Sequence, residues 1–377
     1  MNYRFGFIFS TNLGNANRYR IFRKYADRYV ARMPGFQCDW APVSQSYLPG
    51  EHDPVRFLPP PLHTRAVALA KSWPVLGHLK QFDAVMIHQL EAQPLAALRS
   101  TVRSRPVLFA AQDNPPIIDP DNYPLYPEQR ARPEWRKRLR LAAELWTARN
   151  TAYHVCFSTW QADVLTQKCG IATERVQTIH TGLDLDEWPT PPATQQASSG
   201  LPRILFVGGD FHRKGGNLLL DVFRQRLLGR AELDIVTSRP VPDLPEGAHC
   251  FTGLTADSPK LRELYRHADI FALPTTADLT PWVCLEAMAS AKPVVATRMG
   301  GISDLVVEGQ SGHLIDIGDS AALGDRIERL IADRATCRQM GHVGREIVER
   351  DFDASKNVPR TLEFMATQVD TARSKAS

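Results

Sequence analysis

Two doubly wound α/β domains, Rossmann-like and facing each other across a cleft, are the fold class this sequence predicts. Three observations carry it. The chain has 377 residues, 43% of them hydrophobic, enough for two cores rather than one. Short apolar runs alternate with helix-length segments, the pattern of parallel strands joined by crossovers. A run rich in Pro, Ser and Gln, Pro189 to Pro202, interrupts that alternation near the middle, and the alternation then restarts.

The elements follow in order. Before the interruption, Tyr3–Phe9, Ala84–Ile87, Val107–Ala111 and His154–Phe157 are apolar runs of strand length. After it, Arg203–Val207, Glu232–Val236, Ile270–Leu273, Pro293–Ala296 and Gly312–Ile315 repeat the pattern. The run 189–202 reads as a linker between a domain of residues 1–188 and a second of 203–353, with a last helical region from Ala354 to about Val369 inside residues 354–377. Ligands of such sheets bind beyond the carboxyl ends of the strands, so the loops after these runs are where chemistry is sought.

Composition narrows the function classes. Net charge is +4, with 23 Lys/Arg against 17 Asp/Glu in residues 1–199 and 22 against 24 in the rest. That bias suits an anionic surface or substrate and is too weak to indicate nucleic acid; no aromatic and basic RNA-binding pattern accompanies it. The six cysteines lack paired spacing, which argues against a zinc site or a disulfide scaffold, so reduced thiols are expected. No apolar run approaches the ~20 residues of a membrane-spanning helix, and Phe5-Gly6-Phe7-Ile8-Phe9 is too short for a signal-peptide core. A cytoplasmic protein, free or peripheral on a membrane, is expected.

Two segments of the second half carry chemistry. Asp278-Leu-Thr-Pro-Trp-Val-Cys-Leu-Glu286 places two carboxylates around one helix start. Thr280 is the expected N-cap and Pro281 the first helical residue, leaving the N–H groups of Trp282 and Val283 facing outward, an end that attracts phosphate. Asp278 lies before the cap and Glu286 more than one turn inside, so they can flank a pyrophosphate and reach different sugar hydroxyls. Carboxylates alone would repel phosphate. The offsetting charge is sought in Ile204–Asn217, an apolar strand, a turn at Gly208-Gly209, the cations Arg213 and Lys214, and then a helix. Glycines let backbone approach a diphosphate, and the cations can neutralise its negative charge. Gly300 and Gly301 supply a tight turn after a buried-looking strand.

The stretch from Asp278 to Gly312 resembles the C-terminal signature of the retaining glycosyltransferases of family 4, glycosyl transferases group 1, which have the GT-B fold. The family carries Glu, seven residues, then Glu. The resemblance implies that Glu286 binds the ribose hydroxyls of the nucleotide and that Asp278, one methylene shorter than the usual Glu, contacts the transferred sugar. It matches Lys214 to a family lysine, while Gly209 stands where the family has arginine, a loss for which Arg213 can substitute. Pro281 replaces a glycine whose N–H often helps to hold the donor. Ser158-Thr159 and Ile179–Asp184 also resemble the family's run into the linker, with His180 and Asp184 shaping the turn there.

For the first half the resemblance implies that the loop Ser10–Asn17 lies beside the donor sugar and phosphate, with Gly14 and Asn15 as contacts, and that the final helix crosses back to the first domain. Family members often show His-Asp where this chain has Gln112-Asp113. Asp113 is then a candidate carboxylate for orienting or binding the acceptor. His88, after another strand, is either a further candidate or structural.

Two basic helices stand apart from these motifs. Arg130–Asn150 shows Trp135, Leu139, Ala142 and Trp146 at helical spacing among Arg136, Lys137, Arg138 and Arg140. Arg18–Arg32 sets Phe22, Tyr25 and Tyr29 beside Arg18, Arg20, Arg23, Lys24 and Arg28. Either helix can dock on an anionic membrane, or can pack its apolar residues inward and turn its cations to water.

The resemblance implies a retaining, metal-independent hexosyl transfer from a nucleotide diphosphate sugar, a UDP- or GDP-sugar, to a hydroxyl acceptor: a glycan, a lipid-linked compound or a small molecule. No separate cofactor is implied. A nucleotide-sugar-binding member without turnover is an alternative, motivated by Gly209, Gln112 and Asp278. A sugar-nucleotide epimerase of similar two-domain fold is another. A dinucleotide-dependent dehydrogenase is least supported, since no early Gly-X-Gly-X-X-Gly is followed by a suitably spaced acidic residue.

Overall fold

The structure, a computed structural model, describes residues 2–11, 15–44, 53, 55–88, 93–103, 106–113, 115–116, 133–189 and 200–375. They form two compact units, one holding residues of 1–119, 131–182 and 354–377, the other residues 183–353. Each is built on a six-stranded parallel sheet.

In the first unit the strands are β1 (Tyr3–Ser10), β2 (Phe36–Val43), β3 (Ala84–His88), β4 (Val107–Gln112), β5 (Tyr153–Cys156) and β6 (Val176–Thr178), ordered β2-β1-β3-β4-β5-β6. Alternation sorts its helices between the two faces. Ile8, Val85, Ile87 and Leu108 point to one face, where they cluster with Ala68, Val75 and Leu76 of α2 (Pro60–Leu76) and with Ala96 and Ala97 of α3 (Gln93–Arg103). Leu108 and Ala110 share that face, Ala110 is in register with His154, and the His154 ring meets the Ala148 carbonyl of α4 (Glu134–Asn150) at 3.0 Å. Hence α2, α3 and α4 cover one face. The opposite face carries Phe7, Phe9, Phe109 and Tyr153, against which pack Phe22 of α1 (Asn15–Arg32) and Phe364 of the last helix, Ala354–Ser374. Tyr3 Oη also donates to Asp370 of that last helix at 2.7 Å.

In the second unit β7 (Arg203–Val207), β8 (Glu232–Val236), β9 (Ala248–Phe251), β10 (Ile270–Leu273), β11 (Val294–Thr297) and β12 (Gly312–Ile315) lie in the order β12-β11-β10-β7-β8-β9. The direction of winding reverses between β7 and β10, and in the first unit between β1 and β3. Such reversals open the crevices where open α/β sheets bind ligands.

The nine expected strands are all present, some shifted by a residue. Three strands, β2, β6 and β9, escape a reading of apolar runs. All three lie at sheet edges, where one side is left without a neighbour, so that polar residues such as Gln37 and Asp39, and Pro42 with no N–H to donate, are tolerated in β2. Among the described residues no helix is long and apolar enough to cross a membrane.

Candidate active site

The second unit brings its two motifs together on the strands that flank its reversal. After β7 the chain turns through Gly208 and Gly209 and enters the helix Gly216–Val222 at Gly215, which has φ +80°. A side chain on Gly215 would collide with the Pro274 carbonyl oxygen, and one on Gly208 would press on the stem of Lys214. These glycines therefore let the turn lie directly against the loop that follows β10. That loop is strapped to it: Thr276 N–H donates to Arg213 O at 2.8 Å, and Arg213 Nη1 donates to Ala277 O at 2.6 Å. Lys214 Nζ donates to Asp278 Oδ2, both side chains being largely buried.

The helix that follows is Trp282–Ala289. It starts one residue later than expected. Pro281, with extended ψ 117°, takes the cap position instead of opening the helix, and its carbonyl accepts from Cys284 N–H at 3.1 Å. Thr280 is not the N-cap. Its hydroxyl is buried and has no hydrogen-bond partner among the described residues. Beneath the helix start, Gly300 holds φ +50° where a side chain would press on the carbonyls of Asp278 and Leu279, and Gly301 N–H donates to Leu279 O at 2.7 Å. The Gly300-Gly301 pair thus supports the backbone of the Asp278 loop.

Glu286, on the second turn of this helix, is buried and accepts from Tyr265 Oη at 2.8 Å through Oε2. Burial pushes its carboxyl up to about 7, against the downward pull of the Tyr265 hydrogen bond and of Arg262. Tyr265 is itself held rigidly, its ring packed against Trp188 and Phe271. The buried Cys284 thiol is raised mainly by desolvation, and it feels Asp278, Lys214 and Glu286 at once. The Lys214–Asp278 pair thus lies just before the helix that carries Glu286.

In the first unit Asn15 opens α1, and Gly14 lies outside the described residues. Asn15 Oδ1 accepts from Arg18 at 3.5 Å. Arg18 is buried, a correction to its expected place among the outward cations of that helix. Its guanidinium lies over the Phe157 ring at 4.7 Å, meets His88 Nε2 at 3.1 Å and pairs with Asp113 Oδ2 at 3.4 Å. His88 is stacked on Phe9 at 4.7 Å, and burial, then Arg18, holds its imidazole well below its usual range. It stays neutral near pH 7. His180 Nδ1 meets the Phe157 carbonyl at 3.0 Å. Gln112 closes β4, leaving Asp113 just beyond the strand end.

Sequence reasoning missed Tyr265 and Arg18. Nothing in the spacing links Tyr265 to Glu286, 21 residues on. Arg18 had one signal, its place three residues after Asn15 at the start of a helix.

Two family models match the chain: Glycosyltransferase Family 4 over residues 34–187 and Glycosyl transferases group 1 over residues 201–333. The chain belongs to glycosyltransferase family 4. Within this family it is similar to the D-inositol 3-phosphate glycosyltransferase 1 of Catenulispora acidiphila, 29% identical over 241 residues that make up 57% of each chain. It is also similar to the alpha-maltose-1-phosphate synthase of Mycolicibacterium smegmatis, 28% identical over 54% of this chain and 59% of that one. The matches thus span somewhat over half of these relatives' length. In fold, this family 4 chain is similar to the sucrose-phosphate synthase of Thermosynechococcus elongatus, with TM-score 0.76, 17% identity and coverage of 98% of this chain and all of that one. The Anabaena HepE structure in complex with UDP-glucose gives TM-score 0.69 at 18% identity, covering 97% and 99%. Both are likenesses of fold, and the fold is GT-B.

Proposed function

We propose that this protein transfers a hexose from a nucleotide diphosphate sugar to a hydroxyl acceptor, with retention at the anomeric carbon. The observation that carries the reading is the convergence of Lys214, Asp278 and Glu286 around one helix start at the sheet's reversal point. Membership of family 4 supports it.

In this reading the ribose hydroxyls donate to Glu286, whose Oε2 is already oriented by Tyr265. Lys214 and Arg213 meet the diphosphate beside the Gly208-Gly209 turn, and the backbone at Trp282 and Val283 meets it from the other side. Asp278 accepts from a hydroxyl of the sugar. As the bond from anomeric carbon to phosphate oxygen breaks, negative charge grows on the leaving diphosphate, where the two cations stabilise it. The acceptor oxygen bonds to the same face of that carbon, and its proton passes to the leaving phosphate oxygen. No imidazole is required for that step, consistent with glutamine at position 112 and a neutral, buried His88. Asn15 and Asp113 are assigned to positioning the acceptor or the sugar. The charge on the leaving group is carried by Lys214 and Arg213, so the reading needs no metal ion.

Incubation with UDP-, GDP- and ADP-sugars, followed by melting temperature and released nucleotide, tests the proposal. One donor is expected to raise the melting temperature and to release nucleotide, and Lys214→Ala to abolish the release. Binding without release in any acceptor mixture would leave a donor-binding protein without turnover and refute the transfer.

A further inference from the structure

The first unit is asymmetric in what it shows to water. Among the described residues eleven large apolar side chains are exposed, and six of them stand on the three helices that cover one sheet face: Leu62 and Trp73 on α2, Leu98 on α3, and Trp135, Leu139 and Trp146 on α4. None lies on the two helices of the opposite face. On α4 the exposures are 62% for Trp135, 66% for Leu139 and 42% for Trp146, at spacings of four and seven residues, which make one stripe about 16 Å long. The alternative that this helix packs its apolar residues inward is thereby overturned. On α1 it is met: Tyr25 is buried, and Phe22 packs on Phe7, Phe9 and Trp40.

Charge on the same three helices is one-sided, with nine Lys/Arg against two Asp/Glu. Both acids, Glu134 and Glu144, are paired within α4, to Lys137 and Arg140. Arg136, over the Trp135 ring at 5.1 Å, and Arg138 make no ion pair among the described residues. The face thus sets exposed tryptophans beside cations in excess over acids, the charge complementary to an anionic surface. It matches the boundary of a bilayer, where indole rings sit at headgroup depth and cations meet anionic headgroups.

We propose that this three-helix face of the first unit docks on an anionic lipid surface. The inference stands on that unit alone and goes beyond glycosyl transfer, adding a membrane on which the acceptor or product would be met. Sedimentation of the full chain with phosphatidylcholine vesicles, with and without phosphatidylglycerol, tests it in the absence of any sugar nucleotide. Its outcome is therefore separate from that of the transfer assay. Binding is expected to be about tenfold tighter to the anionic vesicles and to weaken with salt. Trp135→Ser with Leu139→Ser and Trp146→Ser is expected to lower vesicle affinity about tenfold with the melting temperature unchanged, and Arg136→Glu with Arg138→Glu to do the same. Equal binding to both vesicle types, or full binding by either variant, would overturn it. A concentration-dependent dimer in light scattering, lost in the triple variant and without vesicle binding, would also overturn it by assigning the face to a second copy.

Discussion

Lys214 and Asp278 neutralise each other across the two strands that flank the sheet's reversal, with side-chain exposures of only 14% and 10%. The Lys214 ammonium thus has a carboxylate as its partner. Removing either partner leaves the other charge largely buried and uncompensated. Lys214→Ala and Asp278→Ala are each expected to cost about 3 kcal/mol in urea unfolding, and the double variant clearly less than their sum. Additive costs would mean that the two charges do not hold each other.

In the proposed reading, Glu286 makes donor binding and stability depend on pH in opposite directions. Its folded carboxyl lies at about 7 against an ordinary 4.5, so the folded chain keeps a proton that the unfolded chain has released. The stabilisation from that proton is complete below pH 4.5 and lost as pH rises through 7. Glu286→Gln is neutral throughout, so its melting temperature is expected to match wild type at pH 5 and exceed it at pH 8, by up to about 3 kcal/mol in free energy. If ribose hydroxyls donate to the ionised form, as proposed, titration calorimetry is expected to show donor affinity rising between pH 6 and 8 in wild type and staying flat in the variant.

Gly215 tests the approach of the two motif loops. At φ +80° and against the Pro274 carbonyl, alanine meets both backbone strain and a collision. Gly215→Ala is expected to destabilise by more than about 2 kcal/mol and to weaken donor binding. Gly229, at φ +70° with open space around it, is the control: its alanine variant meets the strain alone and leaves donor affinity unchanged.

Much of this arrangement was legible in the sequence because it is local. The central strands are continuous apolar runs, and Lys214, Asp278 and Glu286 each follow one at a fixed offset. The edge strands were not, because a strand with one free side needs no unbroken apolar run. Nor was the direction in which the basic helices face. Spacing showed a stripe on α1 and on α4 alike, but only the packing of Phe22 and the exposure of Trp135 show that the first turns inward and the second outward. Arg18 looked like a surface cation, whereas His88, Asp113 and the Phe157 ring are brought to it by three separate strands ending on one side.

Thr280 separates a structural hydroxyl from one kept for a ligand. A buried hydroxyl without a partner lowers stability, since water is lost and nothing replaces it. In the proposed reading, the diphosphate or sugar of a donor lies between Asp278 and the helix start and donates to or accepts from this hydroxyl. Thr280→Val keeps the shape and removes the hydroxyl. The melting temperature of the chain without ligand is expected to hold or rise, while donor affinity falls about tenfold, the loss of one hydrogen bond to a charged group. A fall in melting temperature with donor affinity unchanged would show that the hydroxyl serves the fold, and would remove Thr280 from the site.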